Sequence, residues 1–268
     1  MYPLRTARRN RRDRSRLATG ALAASVLAVV LGGCATGQPS GTDGKASWAG
    51  RPIGSPPAPN PGLKRAMIAR ATGEWDYFGR QTVVYRGNEE SIPHVGYWED
   101  DDSSHSRRIN AYWRAAGQPR LDGMDCKQPW SAAFISWVMQ SSGVSRSQFR
   151  PATAHWVYLS QAIDEARLPG RWFVPQRVSD YSPQPGDLIC SSRGPRRPGM
   201  INGYTSSSML RNTNTHCDLV VANRGKQLEA IGGNVRNSVS KVSLELDGQG
   251  RLRNVPRRPW FIILRNRL

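Results

Sequence analysis

Three residues, taken in chain order, have the types that nucleophilic catalysis needs. Ser131 opens the apolar run Pro129-Trp130-Ser131-Ala132-Ala133-Phe134-Ile135-Ser136-Trp137-Val138-Met139. Trp130, Phe134, Trp137 and Val138 in it, and Ser141 just beyond, are spaced as one face of a helix, which Gly143 ends. His216 opens a later apolar strand, and Asn234 lies on the strand after that. A hydroxyl at a helix start, an imidazole to take its proton and a polar group to hold the imidazole make a nucleophile, base and orienter. The same residues have plainer readings. Serine is a favoured helix cap, and the stripe behind it is ordinary core.

The remaining reactive side chains are weaker candidates. Cys126 lies five residues before Ser131, near the helix start but off its first turn. Cys190 and Cys217 fall on neighbouring strands; buried free thiols are the default there, and a bridge is open in an oxidising compartment. Alternation puts Asp218 on the face of His216 and Cys217 on the opposite face, so Asp218 either touches the imidazole or caps a local polar network. Of the spare histidines, His155 on the next helix is better placed to rim a cleft than His94 or His105. The acidic run Glu99–Asp102 reads as solvated surface. No Cys/His spacing suggests zinc, and there is no phosphate loop or dinucleotide fingerprint, so no metal or cofactor is expected.

The elements that must position these residues change period along the chain. Residues 63–80 read as an amphipathic helix through Ile68, Ala71, Trp75 and Phe78, 107–116 as a short helix, and 153–167 as a helix capped by Thr153 that buries Trp156, Leu159 and Ile163. After about residue 170 short alternating runs take over: Asp187–Cys190, Cys217–Ala222, Leu228–Ile231, Ser238–Leu246 and Pro259–Leu264. Helices first and antiparallel strands afterwards predict an α+β fold. Residues 191–215 form a long loop expected to border the cleft, with Arg193, Arg196, Arg197 and Arg211 making its rim basic and suited to carboxylates.

The whole chain has 268 residues, 38 Lys+Arg against 20 Asp+Glu, and a net charge of +18. A mean hydropathy of −0.56 excludes a polytopic membrane protein. Much of the charge sits at the start: Arg5, Arg8, Arg9, Arg11, Arg12, Arg14 and Arg16 precede the uncharged run Leu17–Gly33 and then Cys34. Basic, apolar and small-residue stretches in that order read as an export signal over 1–33. Leu31-Gly32-Gly33-Cys34 resembles the bacterial lipobox, which implies a diacylated Cys34 as mature N-terminus, on the outer membrane if the host has one. Seven arginines and one aspartate leave with residues 1–33, a net six charges, so +18 falls to +12. An exported basic protein is expected to meet the membrane, peptidoglycan or another anionic envelope polymer, and no nucleic acid. Residues 34–62, rich in Gly, Pro, Ser and Thr, read as the lipidated cysteine and a flexible tether of roughly 30 Å, leaving 63–268 as one domain.

Four segments carry a further resemblance. Trp130-Ser131-Ala132-Ala133-Phe134-Ile135-Ser136-Trp137 is similar to the nucleophile helix of NlpC/CHAP-type papain-like cell-wall peptidases and amidases. Pro185-Gly186-Asp187-Leu188-Ile189 resembles their Pro-Gly-Asp strand opening, His216-Cys217-Asp218-Leu219-Val220-Val221 their His-bearing strand, and Ile231-Gly232-Gly233-Asn234 the next strand. More narrowly, the Ser131 helix together with His-Cys-Asp resembles an uncharacterised bacterial family, domain of unknown function 2272. The resemblance covers roughly 63–268. It implies a papain-like fold with N-terminal helices on an antiparallel sheet. It also implies hydrolysis of amide bonds in peptidoglycan or another envelope substrate, with Ser131 attacking, His216 as base and Asn234 orienting it. The chain departs where those peptidases carry Cys. A thiol is ionised by a helix start and an imidazolium, whereas a hydroxyl needs its proton removed during attack. Ser131 is therefore a working nucleophile, the remnant of a site that now only binds cell-wall peptide or an envelope protein, or a cap.

Overall fold

A computed structural model of the protein describes residues 58–124, 128–193 and 202–268. The export signal, Cys34, most of the tether, Cys126, Arg196 and Arg197 lie outside the described residues.

The first helix, α1 (Pro61–Tyr77), starts two residues before the expected boundary, where the Asn60 side chain accepts from the Gly62 and Leu63 N–H groups and Pro61 occupies the first turn. Its buried stripe is Met67, Ala71 and Glu74, running into Phe78 at the C-cap. Ile68 and Trp75 are only half-buried. A hairpin follows, β1 (Thr82–Arg86) and β2 (Glu89–His94), closed by the two residues Gly87 and Asn88. Gly87 has φ 54°, as a tight hairpin loop of this length demands. Three helices come next: α2 (Ser103–Ala115), α3 (Ser131–Ser141) and α4 (His155–Glu165). The rest is β3 (Phe173–Gln176), β4 (Leu188–Ser192), a single turn α5 (Ser207–Leu210), β5 (Thr215–Asn223), β6 (Gln227–Val235), β7 (Ser238–Glu245) and β8 (Trp260–Asn266).

All eight strands form one sheet in the order β2-β1-β7-β6-β5-β4-β8-β3. The fold is α+β, but the sheet is mixed, because β1 runs parallel to β7 with Val83 opposite Val242. This corrects the expectation of a purely antiparallel sheet preceded only by helices. The signals for the early hairpin are Thr82-Val83-Val84-Tyr85 and the Gly-Asn loop. They were obscured because β2 is an exposed edge strand with no apolar alternation.

Alternation gives the sheet two buried faces. Cys190, Cys217, Leu219 and Ile231 join Phe134, Ile135 and Leu159 on the helix side. Ile189, Val220, Ala230 and Ile263 pack on the other with Val242 and Trp260. Burial on both faces explains why the later strands read as nearly continuous apolar runs.

Candidate active site

The local structure around Ser131 starts with Trp130. Its indole N–H donates to Glu99, and both residues are buried. Glu99 is thus an anchor for the start of α3 and not solvated surface. Asp102, from the same acidic run, caps α2 through the Ser104 and His105 N–H groups. Trp130 is the N-cap residue of α3 and has no capping side chain, while Ser131 is the first helical residue and points its hydroxyl elsewhere. The helix therefore begins with uncapped N–H groups and the positive end of its dipole beside the Ser131 hydroxyl.

Ser136, one turn and a half further on, accepts a hydrogen bond at Oγ from the Ala152 N–H at 2.9 Å. This holds the segment leading into α4 against α3, and the first residue of α4 is His155. From the sheet, β4 and β5 pair with Ser191 opposite His216 and Cys190 opposite Cys217, and a Cys190–Cys217 disulfide locks that register. The bridge left open by the sequence is formed.

These elements bring three side chains of α3, α4 and β5 onto one oxygen. Ser131 Oγ lies 2.8 Å from His216 Nδ1 and 2.8 Å from His155 Nε2. His216 Nε2 lies 2.7 Å from Asp218 Oδ1, and Arg258 approaches Asp218 Oδ2 at 2.5 Å. His155 Nδ1 bonds to the Tyr158 hydroxyl, one helical turn along.

Charge and donor inventory fix the protons. Burial opposes the charge on Asp218, but Arg258 and His216 hold its carboxyl well below the usual carboxylate range, so it is ionised and only accepts. Burial pushes the His216 imidazole down, to about 3, against the pull of Asp218. Burial and the neighbouring His216 push His155 down as well, and burial pushes the Tyr158 phenol up. Both imidazoles are therefore neutral at pH 7 and the phenol keeps its proton. His216 Nε2–H donates to Asp218, so its Nδ1 is bare and accepts the Ser131 O–H. Ser131 Oγ accepts from His155 Nε2–H, whose bare Nδ1 accepts the Tyr158 O–H. One assignment satisfies every donor and acceptor.

Asn234 is not in this chain. Asp218 takes the place expected for it, and among the described residues Asn234 makes no hydrogen bond to His216. The cause is local: Gly232, not Asn234, is the β6 residue against the imidazole. A Cβ there would fall 1.8 Å from Asp218 Oδ1 and 3.1 Å from His216 Nε2. A Cβ on Gly233 would fall 2.5 Å from that of Phe134. The strand register shifts between Gly232 and Val235, and Asn234 sits in this irregularity with φ 53°. Ile231-Gly232-Gly233-Asn234 thus lets β6 pass close to the site without supplying a group to it. Asp187 of the Pro-Gly-Asp segment is likewise structural. Its carboxylate accepts from the Gln184 and Asn266 N–H groups, tying the start of β4 to the end of β8.

His155 and Arg258 are the site residues that sequence spacing missed as partners. Asp218 was visible by alternation with His216. Arg258 comes from a distant segment with no local signal, whereas His155 was legible as the histidine best placed to rim a cleft but not as a partner of Ser131.

Ser131, His155 and His216 open onto a cavity of about 540 Å³, walled also by Thr153, Trp156, Arg193 and Asn212–Thr215. The 191–215 segment thus borders the cleft through its described ends; Arg211 does not line it. Among the described residues no three His, Cys, Asp or Glu side chains come together as a metal site would require.

A family model described as an uncharacterized protein conserved in bacteria, DUF2272, matches residues 91–266. No curated protein and no solved structure matches the chain.

Proposed function

Since the chain belongs to DUF2272, a family whose matched segment contains every group of the site, we propose that it is a serine hydrolase of papain-like arrangement that cleaves amide bonds in peptidoglycan or another envelope substrate. The observation that carries the reading is the pairing of the His216 imidazole with a carboxylate. A thiolate site holds its proton on the imidazole before attack, and a neutral amide suffices to orient the ring. A serine site creates the imidazolium only during attack and gains from a negative charge behind it. Here the serine and the carboxylate, Ser131 and Asp218, occur together.

In the proposed reaction Ser131 Oγ bonds to the substrate carbonyl carbon while its proton passes to His216 Nδ1. The imidazolium formed is stabilised by Asp218, which Arg258 keeps ionised and in place. Negative charge moves to the carbonyl oxygen beside the start of α3. There the first-turn N–H groups and His155 Nε2–H, released from Oγ, supply donors. Collapse expels the amine, which takes the proton from His216. Water then reverses these steps to free the carboxylic acid and regenerate Ser131 O–H.

The lipobox-like segment and the basic leader support placing this domain on a membrane surface within the envelope, tethered through Cys34. The test of the activity is release of new amino groups from purified peptidoglycan. Wild type should release them, Ser131→Ala should release none, and Asp218→Asn should be slower by roughly three orders of magnitude or more. Equal release by wild type and Ser131→Ala overturns the reading.

A further inference from the structure

Among the described residues the cavity is lined by one Lys or Arg side chain, Arg193, that the reaction does not use. Arg193 follows β4 directly, and its N–H donates to the Asn214 carbonyl at 2.7 Å, so the two ends of the 191–215 segment are held together at the cavity wall. Its side chain is half-buried, and among the described residues it has no ion-pair partner. Among the described residues no Asp or Glu lines the cavity. The carboxylate whose charge reaches Arg193, Asp218, is engaged by His216 and Arg258. Burial and the like charge of Arg258 both act against the guanidinium, and its pKa falls to about 10. A half-buried cation with no partner is costly to hold, and the cost is recovered when an anion arrives. A guanidinium presents paired donors that match the two oxygens of a carboxylate. The other polar residues on that wall, Asn212, Thr213 and Asn214, are neutral and set no negative charge against an incoming anion.

We propose that Arg193 is a specificity-determining residue, and that the substrate carries a free carboxylate which binds it while the scissile carbonyl lies at Ser131. This inference rests on the hydrolase reading and deepens it: the substrate is an acidic peptide such as a cell-wall stem, not a neutral amide.

Binding also acts on the base. Among the described residues, Ser131 from α3, His155 from α4 and Asp218 from its own strand touch His216, and the charges of Arg258, ahead of β8, and Arg193, after β4, reach it. Burial depresses the imidazole most, Asp218 raises it, and the Arg193 and Arg258 charges both depress it further. A substrate carboxylate on Arg193 cancels one of the two depressing charges. His216 thus becomes a stronger base when the right substrate is seated.

The test uses Ser131→Ala protein, which binds without turning over, and two synthetic stem tetrapeptides, one with free carboxylates and one with every carboxylate amidated. Calorimetry should show the free acid binding tighter by tenfold or more, and the additional change Arg193→Gln should erase that preference, with Arg193→Lys restoring part of it. Equal binding of acid and amide, no binding of either, or a preference that survives Arg193→Gln overturns the proposal. The hydrolase reading is judged separately, by covalent labelling of the wild type with a neutral serine-directed phosphonate. Labelling without carboxylate preference leaves that reading standing and removes this one.

Discussion

At Ser131 the hydroxyl proton is shared along a chain of buried groups. Ser131, His155, His216 and Asp218 are each at most 4% exposed. The buried neutral imidazole has a thermodynamic signature. In the unfolded chain His216 titrates near 6.5, whereas burial holds it down, to about 3, in the folded protein. Below pH 6.5 the unfolded state therefore binds a proton that the folded state refuses. Stability is lost as pH falls from 6.5 toward 3, by about 2 kcal/mol at pH 5. Asp187, pushed up to about 6 by burial, titrates in the same range with the opposite sign. The measurement is accordingly a difference from His216→Asn, which leaves Asp187 in place. Denaturant melts should show wild type losing about 2 kcal/mol relative to that variant between pH 7 and pH 5. Parallel curves contradict a buried neutral imidazole. Of the residues in this chain, Ser131 and His216 were legible because each starts an apolar run at an element boundary. Asp218 was legible by alternation as sharing the face of His216 but not as its orienter, since a sequence shows which side chains share a strand face but not which neighbouring strand excludes side chains. His155 joins the site because Ser136 ties the segment before α4 to α3, a long-range contact with no periodic trace.

For the elements, what matters is how closely β6 approaches α3. Gly233 has Phe134 and Trp130 where a side chain would begin. Gly233→Ala should cost roughly 1–3 kcal/mol by overpacking. It should also slow the reaction beyond that loss of stability, because Trp130 sets the position of Ser131. Thermal melts and initial rates on the same preparation separate the two effects; unchanged rates in a destabilised variant contradict the positioning role. The strands after residue 170 were readable from alternation and turn residues, and α3 from its 3.6-residue stripe. The β1–β2 hairpin was not. Thr82–Arg86 is short, and β2 presents Glu89, Ser91, Ile92 and His94 to solvent, so its pairing depends on the β1 backbone and not on an apolar face. The Cys190–Cys217 bridge was a pairing that strand neighbourhood permitted and register decided. It joins residues 27 apart, and a closure of that length restrains the unfolded chain by roughly 3–4 kcal/mol.

Taken whole, the molecule is a basic domain behind a leader that reads as an export signal. If Cys34 carries the anchor, Cys34→Ser should move the protein from the membrane pellet to the soluble fraction after carbonate washing. A variant that stays in the pellet contradicts lipidation at that residue. In the proposed function the anchor would set which amide bonds come within reach and the cavity which are cut, and both depend on Ser131 being a nucleophile. The most direct measurement is mass spectrometry of the full-length protein after exposure to a fluorophosphonate at pH 7. A single adduct mapping to Ser131, absent from Ser131→Ala and slowed in Asp218→Asn, is the predicted result. An unmodified Ser131 in folded wild-type protein, or an adduct elsewhere that survives Ser131→Ala, would contradict it.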